Sequence, residues 1–107
     1  YRMRAMIDHL MSIREKMGKG SPRGKLLTRY IKQMERELML FQSSDWAFMI
    51  HNHSAEGYAR RRLDDHYKNG HDLFAEACKA ILRNTDKPAA GSILPKLEET
   101  NNIFSWL

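Results

Sequence analysis

Leu27, Ile31, Met34, Leu38 and Phe41 recur in alternating steps of four and three. Such spacing brings side chains onto one side only of an α-helix, so this stretch is read as a helix with one face turned to a partner. The same rhythm occurs twice more. Before it stand Met3, Met6, Leu10, Ile13 and Met17; after it come Ala59, Leu63, His66, Gly70, Phe74, Ala77 and Ile81, widened by Tyr67, Leu73 and Leu82. Three amphipathic helices that must cover one another predict an all-α fold, a small bundle of three long helices plus a short C-terminal one. The expected bounds follow from the breakers. Helix one covers Tyr1 to Met17 and ends at Gly18 to Gly24, where three glycines and a proline fall within seven residues. Helix two runs from Lys25 to about Phe41, antiparallel to the first because the connector is short. Ser54 caps the third, which ends at Asn84-Thr85-Asp86-Lys87-Pro88, and Ser92 caps a fourth reaching Thr100. Gly70 inside the third helix costs about 1 kcal/mol relative to alanine, which points to a close helix–helix approach.

Extended past Phe41, the apolar register of the second helix arrives at Asp45 and Phe48. A carboxylate thus falls on the inward stripe, beside Gln42, Ser43, Ser44 and Trp46. Burying a charge costs several kcal/mol unless it is paired, and the C-terminal end of a helix repels an anion further. Two explanations stay open. Ser43, Ser44 or Asp45 caps a new turn over Trp46 to Ile50, giving the carboxylate backbone N–H partners. Alternatively the polar cluster faces a cleft, where Ser, Asp and Gln bond ligand hydroxyls and Trp46 offers an aromatic face.

Gln42-Ser43-Ser44-Asp45-Trp46-Ala47-Phe48, a polar link, Tyr58-Ala59-x-x-Arg62 and His66 together resemble the C-terminal helical region of glycoside hydrolase family 57 α-glucan branching enzymes. Asn101-Asn102-Ile103-Phe104 is similar to the segment near that region's C-terminus. The likeness runs from about Leu38 onward; the earlier helices agree in pattern only. Ala47 stands where many relatives have proline, and His51-Asn52-His53-Ser54 where they have a Thr-Gly-Thr-like link. The resemblance implies a cytoplasmic parent that cleaves an α-1,4-glucan link and transfers the piece to a 6-hydroxyl through a covalent glycosyl-enzyme. It implies that the catalytic Glu and Asp belong to a β/α-barrel domain, onto which nothing in this chain maps. The helical domain would cover one side of the barrel's groove, its partners being that barrel and α-glucan, with no cofactor. Ser44, Asp45 and Trp46 are the residues it implies in contact with glucan, Gln42 second: Asp45 accepting from sugar hydroxyls, Trp46 stacking on the pyranose ring.

The remaining residues are read against that expectation. At 107 residues the chain is one domain with a modest core, too small for a barrel with its own cleft. It opens in mid-pattern without a cap, as a fragment of a larger protein would. It closes on the apolar run Ile103 to Leu107, expected to dock on the bundle or on a missing partner. No apolar run nears the roughly 20 residues of a membrane span. The single Cys78 precludes an internal disulfide and fits a reducing compartment; it reads as a small apolar side chain on a helix. Retaining glycosyl transfer needs two carboxyl groups about 5–5.5 Å apart across the sugar. Asp64-Asp65 and Glu98-Glu99 are adjacent pairs that point apart, so no catalytic residue is assigned. His51 and His53 form a His-x-His pair, but ligands for a zinc site are too few, and no metal is assigned. His66 lies in the apolar register, a buried histidine expected to bond a neighbour such as Asp45 or Tyr58. The alternative function is a small basic module binding nucleic acid or a protein partner, supported by the net charge of +5, Arg60-Arg61-Arg62 and the loop from Lys19 to Lys25. Against nucleic acid, Arg60 and Arg61 have acids four positions on, and no recognition-helix motif stands out.

Overall fold

A computed structural model of the protein describes the backbone of residues 2–50 and 56–101, and side chains within 2–42 and 64–101. Its helices are α1 (Arg2–Met17), α2 (Pro22–Ile50), α3 (Glu56–Arg83) and α4 (Leu94–Thr100). The expected fold of three long helices and a short one is the observed one.

The turn chemistry explains most boundaries. Gly18 ends α1 in the left-handed region (φ 91°), its N–H reaching the Arg14 carbonyl at 2.9 Å. Ser21 starts α2: its hydroxyl accepts from the Gly24 N–H at 3.0 Å and donates to the Gly18 carbonyl at 2.7 Å, with Pro22 at the first helical position. At the end of α3, Asn84 adopts φ 54°. Its N–H bonds the Ile81 carbonyl while that of Thr85 bonds Ala80, each at 3.2 Å. That pair of bonds is a Schellman closure with asparagine in the usual glycine place. The Ser54 cap lies outside the described residues, as do the apolar end Ile103 to Leu107 and the pairs built on Arg60 and Arg61.

α2 is the central element. It packs most extensively on α3, then on α1, with α4 on its remaining side. From Tyr30 to Leu38 it is therefore buried almost all round, with Lys32 alone exposed. Leu27, Ile31, Met34 and Leu38 join Met3, Ile7 and Leu10 of α1, Leu73 and Ala77 of α3, and Leu94 and Leu97 of α4 in one core. α1 and α3 run parallel, Met3 lying against Gly70 and His9 against Phe74. A Cβ built on Gly70 would stand 2.6 Å from the Met3 methyl carbon, so the glycine does mark a close approach.

Two expectations need correction. The buried line of α1 is Met3, Ile7, Leu10 and Arg14, while Met6, Ile13 and Met17 are half-buried at its flank. α1 contacts both α2 and α3, so its hidden arc is rotated from the one the methionines suggest. Arg14 is tolerated there because its guanidinium donates to the Thr28 hydroxyl at 3.2 Å. The second helix does not stop near Phe41 either. α2 continues without interruption to Ile50, so no new turn begins at Ser43, Ser44 or Asp45. Residues 42–50 contain neither glycine nor proline, Ala47 is the best helix former, and serine or aspartate in a helix interior costs only about 0.5 kcal/mol each. Among the described residues, no helix is long and apolar enough to cross a membrane.

Candidate functional site

The four residues expected to touch ligand all fall on the last turns of α2. Gln42 is exposed. Ser44, Asp45 and Trp46 belong to the same helix by their backbone, and their side chains lie outside the described residues. Because the helix is unbroken, its register carries over: position 45 follows Leu38 and Phe41 on one face.

Two turns before position 44, on a matching side of the helix, is a buried polar cluster that periodicity alone does not reveal. Glu37 has no exposed surface, and neither has Gln33. One Glu37 oxygen accepts from His66 Nδ1 at 3.0 Å and from the Asn69 amide at 2.9 Å. The other accepts from Gln33 at 3.0 Å, and the Asn101 amide lies 3.1 Å from both. Gln33 also donates to the Asn101 carbonyl at 3.0 Å and accepts from Arg36 at 2.9 Å. A carboxylate only accepts, so the imidazole proton on this side is on Nδ1. Burial acts to raise the Glu37 carboxyl. Hydrogen bonds from His66 and Asn69, attraction to His66 and the Asn101 amide outweigh it, and the group is held below the usual glutamate range. The cluster thus fastens α2 to α3 and to the chain just after α4. It anchors the helix from which positions 42–46 extend.

His66 is buried, as its register implied, and its partner is Glu37. The alternatives weighed for it, Asp45 and Tyr58, have side chains outside the described residues. Sequence reasoning passed over Glu37, Gln33, Arg36 and Asn69. A signal was present: Leu26, Tyr30, Gln33 and Glu37 follow steps of four, three and four beside the apolar stripe, as on a helix buried on more than one side.

A second carboxylate is structural. Glu76 of α3 accepts from the Tyr30 and Ser92 hydroxyls and, at 3.0 Å, from the Ile93 N–H, just ahead of α4. Ser92 in turn accepts from the Leu94 N–H at 3.1 Å; the residue expected to cap the fourth helix lies one position ahead of the N-cap, which is Ile93, and works together with the acid there. Burial pushes the Tyr30 phenol up, keeping it a donor to this carboxylate. The shallow groove beside these residues, reaching Lys79 and Arg83, offers about 40 Å³, room for water but not for a sugar ring.

The other acids are engaged or apart. Glu98 holds Arg29 through two bonds, 3.1 and 2.6 Å long, while Asp64 and Asp65 are exposed on α3. Among the described residues, no three of His, Cys, Asp and Glu gather as metal ligands. His51 and His53 lie outside them. Burial pushes the half-buried Cys78 thiol up, the opposite of an activated nucleophile.

Comparison with known proteins bears on what this arrangement serves. The profile of the family described as "1,4-alpha-glucan branching enzyme, C-terminal" matches residues 3–107. The 1,4-alpha-glucan branching enzyme of Thermococcus kodakarensis is 35% identical over 83 residues, which are 77% of this chain and 12% of that protein. The chain therefore spans a small part of that relative's length. No solved structure matches it.

Proposed function

Because the chain belongs to the family of 1,4-alpha-glucan branching enzyme C-terminal domains, we propose that it is the helical accessory domain of such an enzyme and lines the glucan groove with the last turns of α2. In this reading Asp45 and Ser44 bond sugar hydroxyls, Trp46 stacks on a pyranose ring, and Gln42 adds a polar contact. The carboxylates that break and remake the glycosidic bond are supplied by a barrel domain elsewhere in the parent chain, which transfers an α-1,4-linked segment to a 6-hydroxyl. The domain by itself is inactive.

The observation that supports this most is the continuity of α2. A helix held at Glu37 by three side chains from outside it, His66, Asn69 and Asn101, continues without interruption through Gln42, Ser44, Asp45 and Trp46. That gives a rigid carrier to a polar and aromatic set that a core position does not require, and rigid positioning is what a sugar subsite needs. Asp45→Ala and Trp46→Ala in the full-length parent test it. Losing a charge-assisted bond to sugar costs about 1.5–3 kcal/mol, so branching with Asp45→Ala should fall roughly ten- to hundredfold while circular dichroism stays unchanged. Full activity in both variants ends the assignment.

A further inference from the structure

A helix packed along one side needs an apolar arc of about 100°. α3 has considerably more. His66, Gly70, Leu73, Ala77 and Ala80 are its buried line, with Phe74 and Ile81 packed against the core at the flank. Beyond that flank a second line follows in steps of four, four, three and four: Tyr67, His71, Ala75, Cys78 and Leu82. It carries no acid, lysine or arginine. Leu82 is 83% exposed and Tyr67 41%, the two large exposed hydrophobics among the described residues. Phe41 of α2 continues the line, its ring 5.9 Å from that of Tyr67, which lies 4.2 Å from His71.

We propose that this outer flank of α3 is the face by which the domain docks onto the remainder of a branching-enzyme chain. The inference rests on the reading that the domain is tethered to such a chain. Three arguments select that occupant. From Tyr67 to Leu82 the ridge is about 22 Å long, and with one helix width of about 10 Å it presents roughly 200–250 Å². A stable complex of separate molecules needs about 800 Å² from each partner, so a free second copy is held too weakly. A tethered body meets the ridge at an effective concentration in the millimolar range, at which a small face suffices. The Thermococcus kodakarensis branching enzyme has most of its length outside the matched region, so a body large enough to cover the ridge is available in such a chain. Finally, the half formed by Ala75, Cys78 and Leu82 offers no side-chain hydroxyl, amide or carboxylate. It suits a dry protein contact and not a sugar.

Cys78 reports on the ridge from within. In the full-length protein, its alkylation by iodoacetamide is followed by peptide mass spectrometry, alone and with maltoheptaose. Slow labelling is expected, at least tenfold below the rate in denaturant. The Ala75→Glu/Leu82→Glu double variant, with circular dichroism and molecular mass unchanged, should label at least tenfold faster. Lys79→Glu, on the neighbouring polar face, should leave the rate alone. Should the double variant misfold, Leu82→Ala, which removes only an exposed side chain, supplies the same comparison. The proposal is overturned if wild-type Cys78 labels as fast as in denaturant, or if the double variant changes nothing. It is equally overturned if Lys79→Glu has the same effect, if the mass halves (a second copy was the occupant), or if maltoheptaose alone protects the thiol. Branching activity of the unmodified protein is measured separately; its absence would count against the functional reading without altering the labelling result.

Discussion

Glu37→Gln isolates the charge at the centre of the bundle while keeping its shape. The carboxylate receives hydrogen bonds from His66, Asn69, Gln33 and Asn101, all of them donors. A glutamine can present its carbonyl to His66 and Asn69, but its amide then faces the amides of Gln33 and Asn101, donor against donor. A hydrogen bond to a charged group contributes about 1.5–3 kcal/mol, and a buried donor left without its acceptor costs about 1–3 kcal/mol. The terms are not additive, and about 3 kcal/mol is expected at neutral pH. Against a total stability of about 5–15 kcal/mol that is a large share. The assay is equilibrium urea unfolding followed by circular dichroism, with the slope against urea unchanged. The folded-state pKa of Glu37 lies below its unfolded value of about 4.3, so its contribution is present in full above that pH and is lost as pH falls through the folded-state value. The gap between wild type and Glu37→Gln should therefore be widest near neutrality and shrink on acidification below about pH 4. A loss under about 1 kcal/mol at pH 7, or a gap that widens in acid, refutes the reasoning.

Gly70→Leu should destabilise the bundle by about 2 kcal/mol, because the new side chain overfills the space held by Met3. Met3→Ala in the same chain should recover part of that loss, a coupling read by a double-mutant cycle. Glu76→Ala removes the acceptor of the Ile93 N–H and the Ser92 hydroxyl, and should cost about 1–2 kcal/mol. Hydrogen exchange should then speed up at Ile93 and Leu94 more than in the core of α2.

The architecture was readable because burial in a bundle imposes a period on the sequence, and glycine, proline, serine and asparagine mark where it stops. Gly18, Ser21 and Asn84 have the turn geometries their chemistry favours, and Gly70 lies at the crossing it suggested. Where more than one neighbour contacts a helix, the period blurs. Ile7 and Arg14 replace Met6 and Ile13 in the buried line of α1 for this reason. The same serine and aspartate residues that can cap a helix can also sit inside one, which is why the continuation of α2 past Phe41 was not foreseen. Least legible was the Glu37 cluster. Its partners lie as far as 64 residues away, at Asn101, and no local spacing records that meeting. The buried acid that the structure describes, Glu37, is on the same helix as Asp45 and two turns earlier.

The central claim is that glucan meets the end of α2. A crystal structure of the full-length parent soaked with maltoheptaose tests it most directly. A pyranose ring stacked on Trp46, with a hydroxyl within about 3 Å of the Asp45 carboxylate, is the result expected. Oligosaccharide bound along the barrel, with neither residue in contact and both packed against protein, would contradict it.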